Sequence, residues 1–220
     1  MAVINFMSGG LCGDFIHQMS VVKNICKIYG DKADLYISDC GDSWKFGKIQ
    51  AYKDLYGIVI SQDYINDFRY LEKEFEGDCI DLNDWRKTVA TTHAETGRYN
   101  KCWSELLSEE YAYRIPDEYK WMKPSINKVQ IELLIHRSKH RHNDSFNWIK
   151  VLDGRKAVFI TTDITEWEQF HYKEFAELKI VSTITEVANN IAACGQFIGN
   201  QSAMFAIACA FDVPRICELD

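Results

Sequence analysis

Three polar segments of the sequence carry side chains whose types and spacing could do chemistry. The first joins a glycine-rich turn to an acid and a histidine, in the run Gly9-Gly10-Leu11-Cys12-Gly13-Asp14-Phe15-Ile16-His17. The free backbone N–H groups at a helix start favour a carboxylate, so Asp14 could simply be the N-cap. Asp14 could instead be a general base, with His17 one turn later on the same helix face. The glycine spacing does not match the dinucleotide-binding fingerprint.

The second segment is basic and follows a predicted buried strand. It reads His136-Arg137-Ser138-Lys139-His140-Arg141-His142-Asn143. Arg137, Lys139 and Arg141 place three permanent positive charges at the carboxyl end of that strand, which suits a diphosphate group. A solvated loop without a ligand would explain the same charges. The three histidines do not predict a metal site, because no nearby carboxylate cluster would close it.

The third segment ends a strand and begins a helix, in the run Phe197-Ile198-Gly199-Asn200-Gln201-Ser202. The free N–H groups at the start of that helix form an anion site, unless Ser202 is only a helix cap. We expect this turn to lie beside the basic loop, because ligands of open parallel sheets bind at the carboxyl ends of the strands. Glu166 and Glu168 follow a further strand, with Asp163 between them and that strand. An acid there could accept hydrogen bonds from ribose hydroxyl groups or a base, or simply occupy an exposed first turn.

The elements that must position these segments alternate between strands and helices. Strands are predicted at 2–6, 33–38, 57–61, 79–82, 130–136, 157–161, 178–181, 196–199 and 215–219. Helices are predicted from Phe15 to just before Gly30 and at 45–56, 99–111, 146–152, 165–175, 186–193 and 202–211. This alternation predicts an α/β protein with parallel sheets covered on both faces. Two of the three prolines lie in the stretch 113–124, which indicates a linker between two Rossmann-like halves, 1–122 and 123–220, facing a cleft.

Composition excludes several classes of protein. The net charge of −7 and the pI of about 5.4 provide no general field for nucleic acid or anionic lipid. The eight cysteines form no C-x-x-C pair, so we expect reduced thiols and a cytoplasmic protein. No apolar run approaches the ~18 residues of a membrane span, and none is predicted.

The first segment, Gly13-Asp14-Phe15-Ile16-His17, resembles the G-D-x-x-H start of the heptosyltransferase-type glycosyltransferases of family 9. Thr185-Glu186-Val187-Ala188 and the third segment resemble the family's C-terminal run, where a D-T-G-x-x-H turn holds the donor. That turn is Gln201-Ser202-Ala203-Met204-Phe205-Ala206 here, and Ser202 keeps its hydroxyl. The stretches 135–138, 146–148 and 197–202 are also similar to uncharacterised glycosyltransferase-like proteins of phages and large viruses.

The resemblance implies a reduced GT-B fold, with 1–122 as the acceptor-side domain and 123–220 as the nucleotide-sugar-binding domain. It implies metal-independent transfer of a hexosyl or heptosyl group from a nucleotide-diphosphate sugar to an acceptor hydroxyl, with no other cofactor. Asp14 would be the catalytic base, with His17 beside it. A viral origin would place the protein in the host cytoplasm. The expected donor-binding residues are Gly13, Arg137, Ser138, Lys139, Arg141, Asp163, Thr185, Glu186, Asn200, Gln201 and Ser202.

Other functions remain open at this point. A protein that sequesters a nucleotide or nucleotide sugar would use the same C-terminal site and need no base. A structural or assembly protein could keep only the fold, because a fold does not fix a function. A transferase acting on nucleic acid is disfavoured by the net charge of −7.

Overall fold

The computed structural model describes residues 2–38, 44, 47–72, 75–85, 102–113, 120–124 and 131–219. The chain divides into two compact units, Met1–Met122 and Lys123–Asp220, and each is built around a sheet of parallel strands. The predicted α/β fold with two Rossmann-like halves is therefore confirmed. None of the helices within the described ranges is long and apolar enough to cross a membrane.

The N-terminal unit is built on a sheet in the order β3-β2-β1-β4. Its strands are β1 (Val3–Ser8), β2 (Lys32–Ile37), β3 (Ile65–Tyr70) and β4 (Ile80–Asp81). Its helices are α1 (Cys12–Tyr29), α2 (Lys48–Ile60) and α3 (Trp103–Glu110). The helix predicted at 99–111 and the linker predicted at 113–124 lie partly outside the described residues.

Helices α1 and α2 cover one face of this sheet. Phe6, Leu35 and Phe68 align across β1, β2 and β3 and are almost fully buried. Phe15 of α1 and Tyr52 of α2 both contact the ring of Phe68. The opposite face carries side chains that are half-buried or exposed: Asn5, Met7, Asp34, Tyr36, Asp67 and Arg69. The segment 75–78 lies against part of this face, where Phe75 contacts the Tyr36 ring and the Asp78 carbonyl accepts from Asn5. A helical layer over this face stays a prediction, because residues 86–101 lie outside the described part of the chain.

The strand predicted at 57–61 is also wrong, because helix α2 runs through Ile60. The β-branched run from Ile58 to Ile60 favours a strand by composition. Ala51, Leu55, Ile58 and Val59 are buried together, however, and their three- and four-residue spacing is that of a helix. The third strand comes later in the chain, at β3.

The C-terminal unit has the strand order β7-β6-β5-β8-β9. Its strands are β5 (Ile131–His136), β6 (Ala157–Thr161), β7 (Ala176–Ile180), β8 (Cys194–Asn200) and β9 (Arg215–Glu218). Its helices are α4 (Trp148–Leu152), α5 (Ile164–Glu168), α6 (Ile184–Ala192) and α7 (Ala203–Ala210). The helix predicted at 165–175 ends at Glu168, and the chain reaches β7 through a short 3-10 turn, Lys173–Phe175.

Helices cover both faces of this second sheet. On one face, Ile135 and Phe159 pack with Trp148 of α4 and with Phe170. On the other face, helices α6 and α7 contact each other and pack on β8. Strand β5 lies between β6 and β8, so the segments that follow these three strands begin at neighbouring points on one edge of the sheet.

Candidate functional site

The basic loop after β5 and the turn after β8 lie against each other in the C-terminal unit. Asn200, whose side chain is fully buried, accepts a hydrogen bond from the backbone N–H of Ser138 at 3.0 Å. Its amide donates to the carbonyl oxygens of Ser138, at 3.1 Å, and His140. Farther out, Arg141 donates to the side-chain oxygen of Gln201 at 3.0 Å. The two segments therefore form one connected surface.

Helix α7 begins at this surface. Ser202 is its N-cap, and the Ser202 hydroxyl accepts a hydrogen bond from the backbone N–H of Phe205 at 3.5 Å. The first turn of a helix leaves several N–H groups without intrahelical partners and carries a partial positive charge. The start of α7 and the Arg141 guanidinium thus give this edge of the sheet two features that attract anions.

Arg137 is placed differently from the exposed cation that the sequence suggests. Its Nε and Nη2 donate to the two carboxylate oxygens of Glu218 at 2.8 and 2.7 Å, and its side chain is 9 % exposed. The guanidinium also lies 6.0 Å from the centre of the Trp148 ring. Glu218 is fully buried and needs a charged partner there. Arg137 therefore anchors the base of the loop and does not present a free charge.

Glu218 is a site residue that the sequence did not reveal. Besides binding Arg137, it accepts a hydrogen bond from the backbone N–H of Asn143 at 2.9 Å. It therefore holds both ends of the basic loop. The one available signal was an acid at the end of the short last strand, after Ile216 and Cys217, which by itself does not identify a partner.

Lys139 forms a second, more exposed ion pair. Its ammonium lies 2.7 Å from the carboxylate of Asp163, and both side chains are about one third exposed. Asp163 also caps α5 by accepting from the Thr165 N–H at 3.0 Å. Hydrogen bonds from Lys139 and Thr165 hold the pKa of Asp163 well below its usual range. Arg141 is the cation of the basic loop that has no carboxylate partner within the described residues.

Thr185 and Glu186 lie at a different point of the sheet edge. They belong to α6, which follows the edge strand β7 and starts two strand positions away from β5. Glu186 accepts hydrogen bonds from the backbone N–H groups of Ser182 at 2.7 Å and Thr183 at 3.1 Å, completing a capping box. Adjacent strands are about 4.8 Å apart, so this helix start is about 10 Å from the loop after β5.

Glu166, an acid that the sequence placed after a strand, forms a polar cluster with His136 and Thr161 that the sequence did not predict. The Glu166 carboxylate accepts from the Thr161 hydroxyl at 2.6 Å and lies 3.4 Å from Nε2 of His136. Burial by itself would raise the pKa of Glu166, but His136 and Thr161 together bring it below its usual value. Within the described residues, Nδ1 of His136 is buried and has no hydrogen-bond partner.

In the N-terminal unit, α1 begins at Cys12 with Leu11 as its N-cap. Asp14 is therefore a half-buried residue of the first turn, and its interpretation as the N-cap is wrong. His17 follows one turn later, with its ring 6.0 Å from that of Trp103 and 5.9 Å from that of Trp121. Gly13 lies within the helix, beside Asp14. Asp14 and His17 thus share one end of α1, as their spacing predicts.

Cys12 and Gly10 lie close to Asp14 in the sequence, at the start of α1. Burial, together with the nearby carboxylates of Asp54 and Asp14, raises the pKa of the Cys12 thiol to about 12. Cys12 therefore stays protonated and is a poor nucleophile at neutral pH. Gly10 has a φ of 94°, a conformation that favours glycine, which explains one glycine of the turn.

No protein-family model matches the chain, and no curated protein matches its sequence. Solved structures do match its fold. The E. coli heptosyltransferase WaaC with ADP is 13 % identical, with a TM-score of 0.55 over 98 % of this chain and 86 % of that one. A family 9 glycosyl transferase from Veillonella parvula is 10 % identical, with a TM-score of 0.51 over 98 % and 79 %.

A third similar structure is the iron-containing dodecameric glycosyltransferase TibC from enterotoxigenic E. coli. It is 12 % identical, with a TM-score of 0.61 over 98 % of this chain and 57 % of that one. At these identities the likeness shows a shared two-domain, Rossmann-like fold. In the described part of this chain, no group of three His, Cys, Asp or Glu side chains is arranged to hold a metal ion.

Proposed function

We propose that this protein transfers a sugar from a nucleotide-diphosphate donor to an acceptor hydroxyl, without a metal or another cofactor. The observation that carries the proposal is the pair of segments joined by Asn200, which sets the loop after β5 beside the start of α7. Glycosyltransferases with the same fold support it, and one of them is WaaC with ADP.

In the proposed reaction, the C-terminal unit holds the diphosphate. Arg141, the hydroxyl groups of Ser138 and Ser202, and the N–H groups at the start of α7 would surround its oxygens. Negative charge grows on the diphosphate as the bond to the sugar breaks, and fixed donors that face this charge lower the barrier. Lys139 would exchange the Asp163 carboxylate for a phosphate oxygen, because both are anions.

Asp14 is the proposed base. Its carboxylate would take the proton of the acceptor hydroxyl while that oxygen attacks the anomeric carbon of the donor. One C–O bond forms, the bond from the anomeric carbon to the diphosphate breaks, and the proton ends on Asp14. His17 would help to orient the acceptor. The rings of Trp103 and Trp121 pack beside the His17 ring and hold it in position.

The test is the variant Asp14→Asn, with Asp78→Asn as the matched control at an exposed position of the same unit. A general base contributes about 10²- to 10⁴-fold to a rate, so Asp14→Asn should lose about that much turnover. Its affinity for the donor, measured by calorimetry, should be unchanged. Full turnover by Asp14→Asn would remove Asp14 from the mechanism.

Metal independence is tested separately. Glycosyl transfer should persist after dialysis against EDTA and should not rise when iron, magnesium or manganese is added. Activity that needs one of these ions would restrict the proposal to metal-assisted transfer.

A second candidate is a protein that binds a nucleotide sugar without chemistry. The turn after β8 favours it, because Gln201 and Ser202 stand where the family has an aspartate and a threonine, and Ala206 where it has a histidine. Tight binding of a nucleoside diphosphate with no transfer and no hydrolysis would support this candidate against the first.

We also propose that the chain is related to the glycosyltransferase-like proteins of phages and large viruses and acts in a reducing cytoplasm. The stretches 135–138, 146–148 and 197–202 support the relation. The cysteines in the described part of the chain are free thiols, which suits that compartment. Labelling of all eight cysteines by a thiol reagent after denaturation without reductant would test the compartment.

A further inference from the structure

A pocket of about 360 Å³ lies in the C-terminal unit beside the basic loop. It is bounded by the end of that loop, the start of α4 and the segment that follows α5. Apart from Arg137, none of its lining residues belongs to the expected donor site. Small-molecule pockets in proteins are about 300–1,000 Å³, so this one has room for a single ring system.

One wall of the pocket is aromatic. Phe146, Trp148 and Tyr172 line it, with ring centres 5.0 Å apart for Phe146 and Trp148 and 6.4 Å apart for Trp148 and Tyr172. Trp148 is 2 % exposed and packs against Phe170 in the core. Trp148 therefore forms the base of the wall, and the half-buried rings of Phe146 and Tyr172 are the ones that can meet a ligand. Aromatic rings in such positions favour a flat, apolar-faced ligand.

The rim of the pocket is polar. Asp144, Gln169 and His171 are exposed there, and within the described residues their side chains make no hydrogen bond. A carboxylate accepts hydrogen bonds, whereas an amide and an imidazole can both donate and accept. The rim therefore suits a ring whose edge carries donors and acceptors side by side.

The charges of the lining disfavour a phosphate in this pocket. Arg137 is the one arginine or lysine of the lining, and its charge is balanced by Glu218 at 2.7 Å. Asp144 adds a negative charge at the rim. A ring without formal charge fits this lining better than an anion does.

The basic loop connects the pocket to the proposed diphosphate site. Ser138 is hydrogen-bonded to Asn200 and Arg141 to Gln201, at the proposed diphosphate site. Arg137 and His142, of the same loop, line the pocket. One ligand could thus place its phosphates on one side of the loop and a flat ring on the other.

We propose that this pocket binds the base of a nucleoside or nucleotide. Its role in holding a sugar donor rests on the proposed function, but base binding itself does not. The contacts that discriminate between bases are assigned to Gln169 and His171, the exposed polar side chains on the segment after α5.

The experiment compares the native chain with the double variant Gln169→Ala/His171→Ala, whose positions are exposed and so leave the core intact. The probes are adenosine, guanosine, cytidine, uridine, their 5′-diphosphates and inorganic pyrophosphate, measured by calorimetry. We expect the preferred nucleoside and its diphosphate to bind about tenfold more weakly to the variant. Pyrophosphate affinity should not change. The control Glu174→Gln, exposed on the next turn, should bind every probe like the native chain.

Three results would overturn the proposal: native chain that binds no nucleoside or nucleotide, a double variant with unchanged affinities, or pocket-dependent binding of monosaccharides in place of nucleosides. A transfer assay separates this inference from the proposed function. Nucleoside binding that needs Gln169 and His171, without any transfer, leaves the inference standing and removes the transferase. Transfer whose base preference is unchanged in the double variant would leave the proposed function standing and remove this inference.

Discussion

Two ion pairs, one in each unit of the molecule, differ in how far they are buried. In the C-terminal unit, the Arg137–Glu218 pair is buried under the basic loop and bonds through two nitrogens. In the N-terminal unit, Arg69 pairs with Asp67 on the more polar face of the sheet, with the Arg69 side chain 58 % exposed. Water can solvate the exposed charges if their pair breaks, but it cannot reach the buried ones. Only the buried pair can therefore fix the geometry of a site.

The largest loss of stability should follow from breaking the buried pair, and breaking the exposed pair provides the comparison. Glu218→Ala leaves the Arg137 charge buried without a partner, and we expect a loss of about 3–5 kcal/mol in the free energy of unfolding. Arg69→Ala should cost less than about 1 kcal/mol. Urea denaturation measures both. Equal losses would show that burial does not distinguish the pairs.

The next largest loss of stability should come from filling the close contact between strands β8 and β5. A Cβ at Gly199 would lie 2.7 Å from the carbonyl oxygen of His136 and 2.9 Å from the Phe197 ring. Gly199→Ala should therefore cost about 1–3 kcal/mol, because the backbone of the central strand must move. At Gly195, on the same strand, the nearest atom would be 3.1 Å away, and Gly195→Ala should cost less. The opposite order in thermal or urea unfolding would contradict this packing.

Asparagine side chains extend the comparison between the units. Asn200 is buried and joins the two segments of the site, whereas Asn66 is exposed and donates to Asp34 at 2.7 Å. Asn200→Ala removes three hydrogen bonds to the backbone of Ser138, which is half-buried, and of His140, which should cost about 1–3 kcal/mol and weaken pyrophosphate binding. Asn66→Ala should be close to neutral in urea denaturation. Unchanged pyrophosphate affinity in Asn200→Ala would mean that anion binding does not need the hydrogen bonds by which Asn200 joins the two segments.

Much of the fold could be predicted from the sequence because its strands and helices alternate with clear periods. The C-terminal unit was predicted well, since its central strands are continuous apolar runs with polar turns between them. Errors arose where two local signals competed, as in the β-branched end of α2.

The site was predicted less well, for a different reason. Sequence position shows that Arg137, Lys139 and Arg141 follow a strand, but it does not show which carboxylate each will meet. Glu218 lies 81 residues from Arg137, and their contact exists only because β9 joins the sheet beside β8. Partners of this kind depend on strand order, which no local pattern in one sequence encodes.

The smallest effect concerns the buried cluster around Glu166. Because its folded pKa lies below its usual value of 4.5, the ionised carboxylate stabilises the fold above that pH. This contribution is lost as the pH falls through the folded pKa. Glu166→Gln cannot titrate, so its stability should fall less steeply than that of the native chain between about pH 5 and pH 3.

The control for this effect is Glu168→Gln, an exposed position on the same helix, α5. Its acid profile in urea denaturation should follow that of the native chain. Acidic groups that do not interact with Glu166 or Glu168 titrate alike in all three proteins and cancel in the differences. Parallel profiles for Glu166→Gln and the native chain would mean that His136 and Thr161 do not stabilise the Glu166 carboxylate.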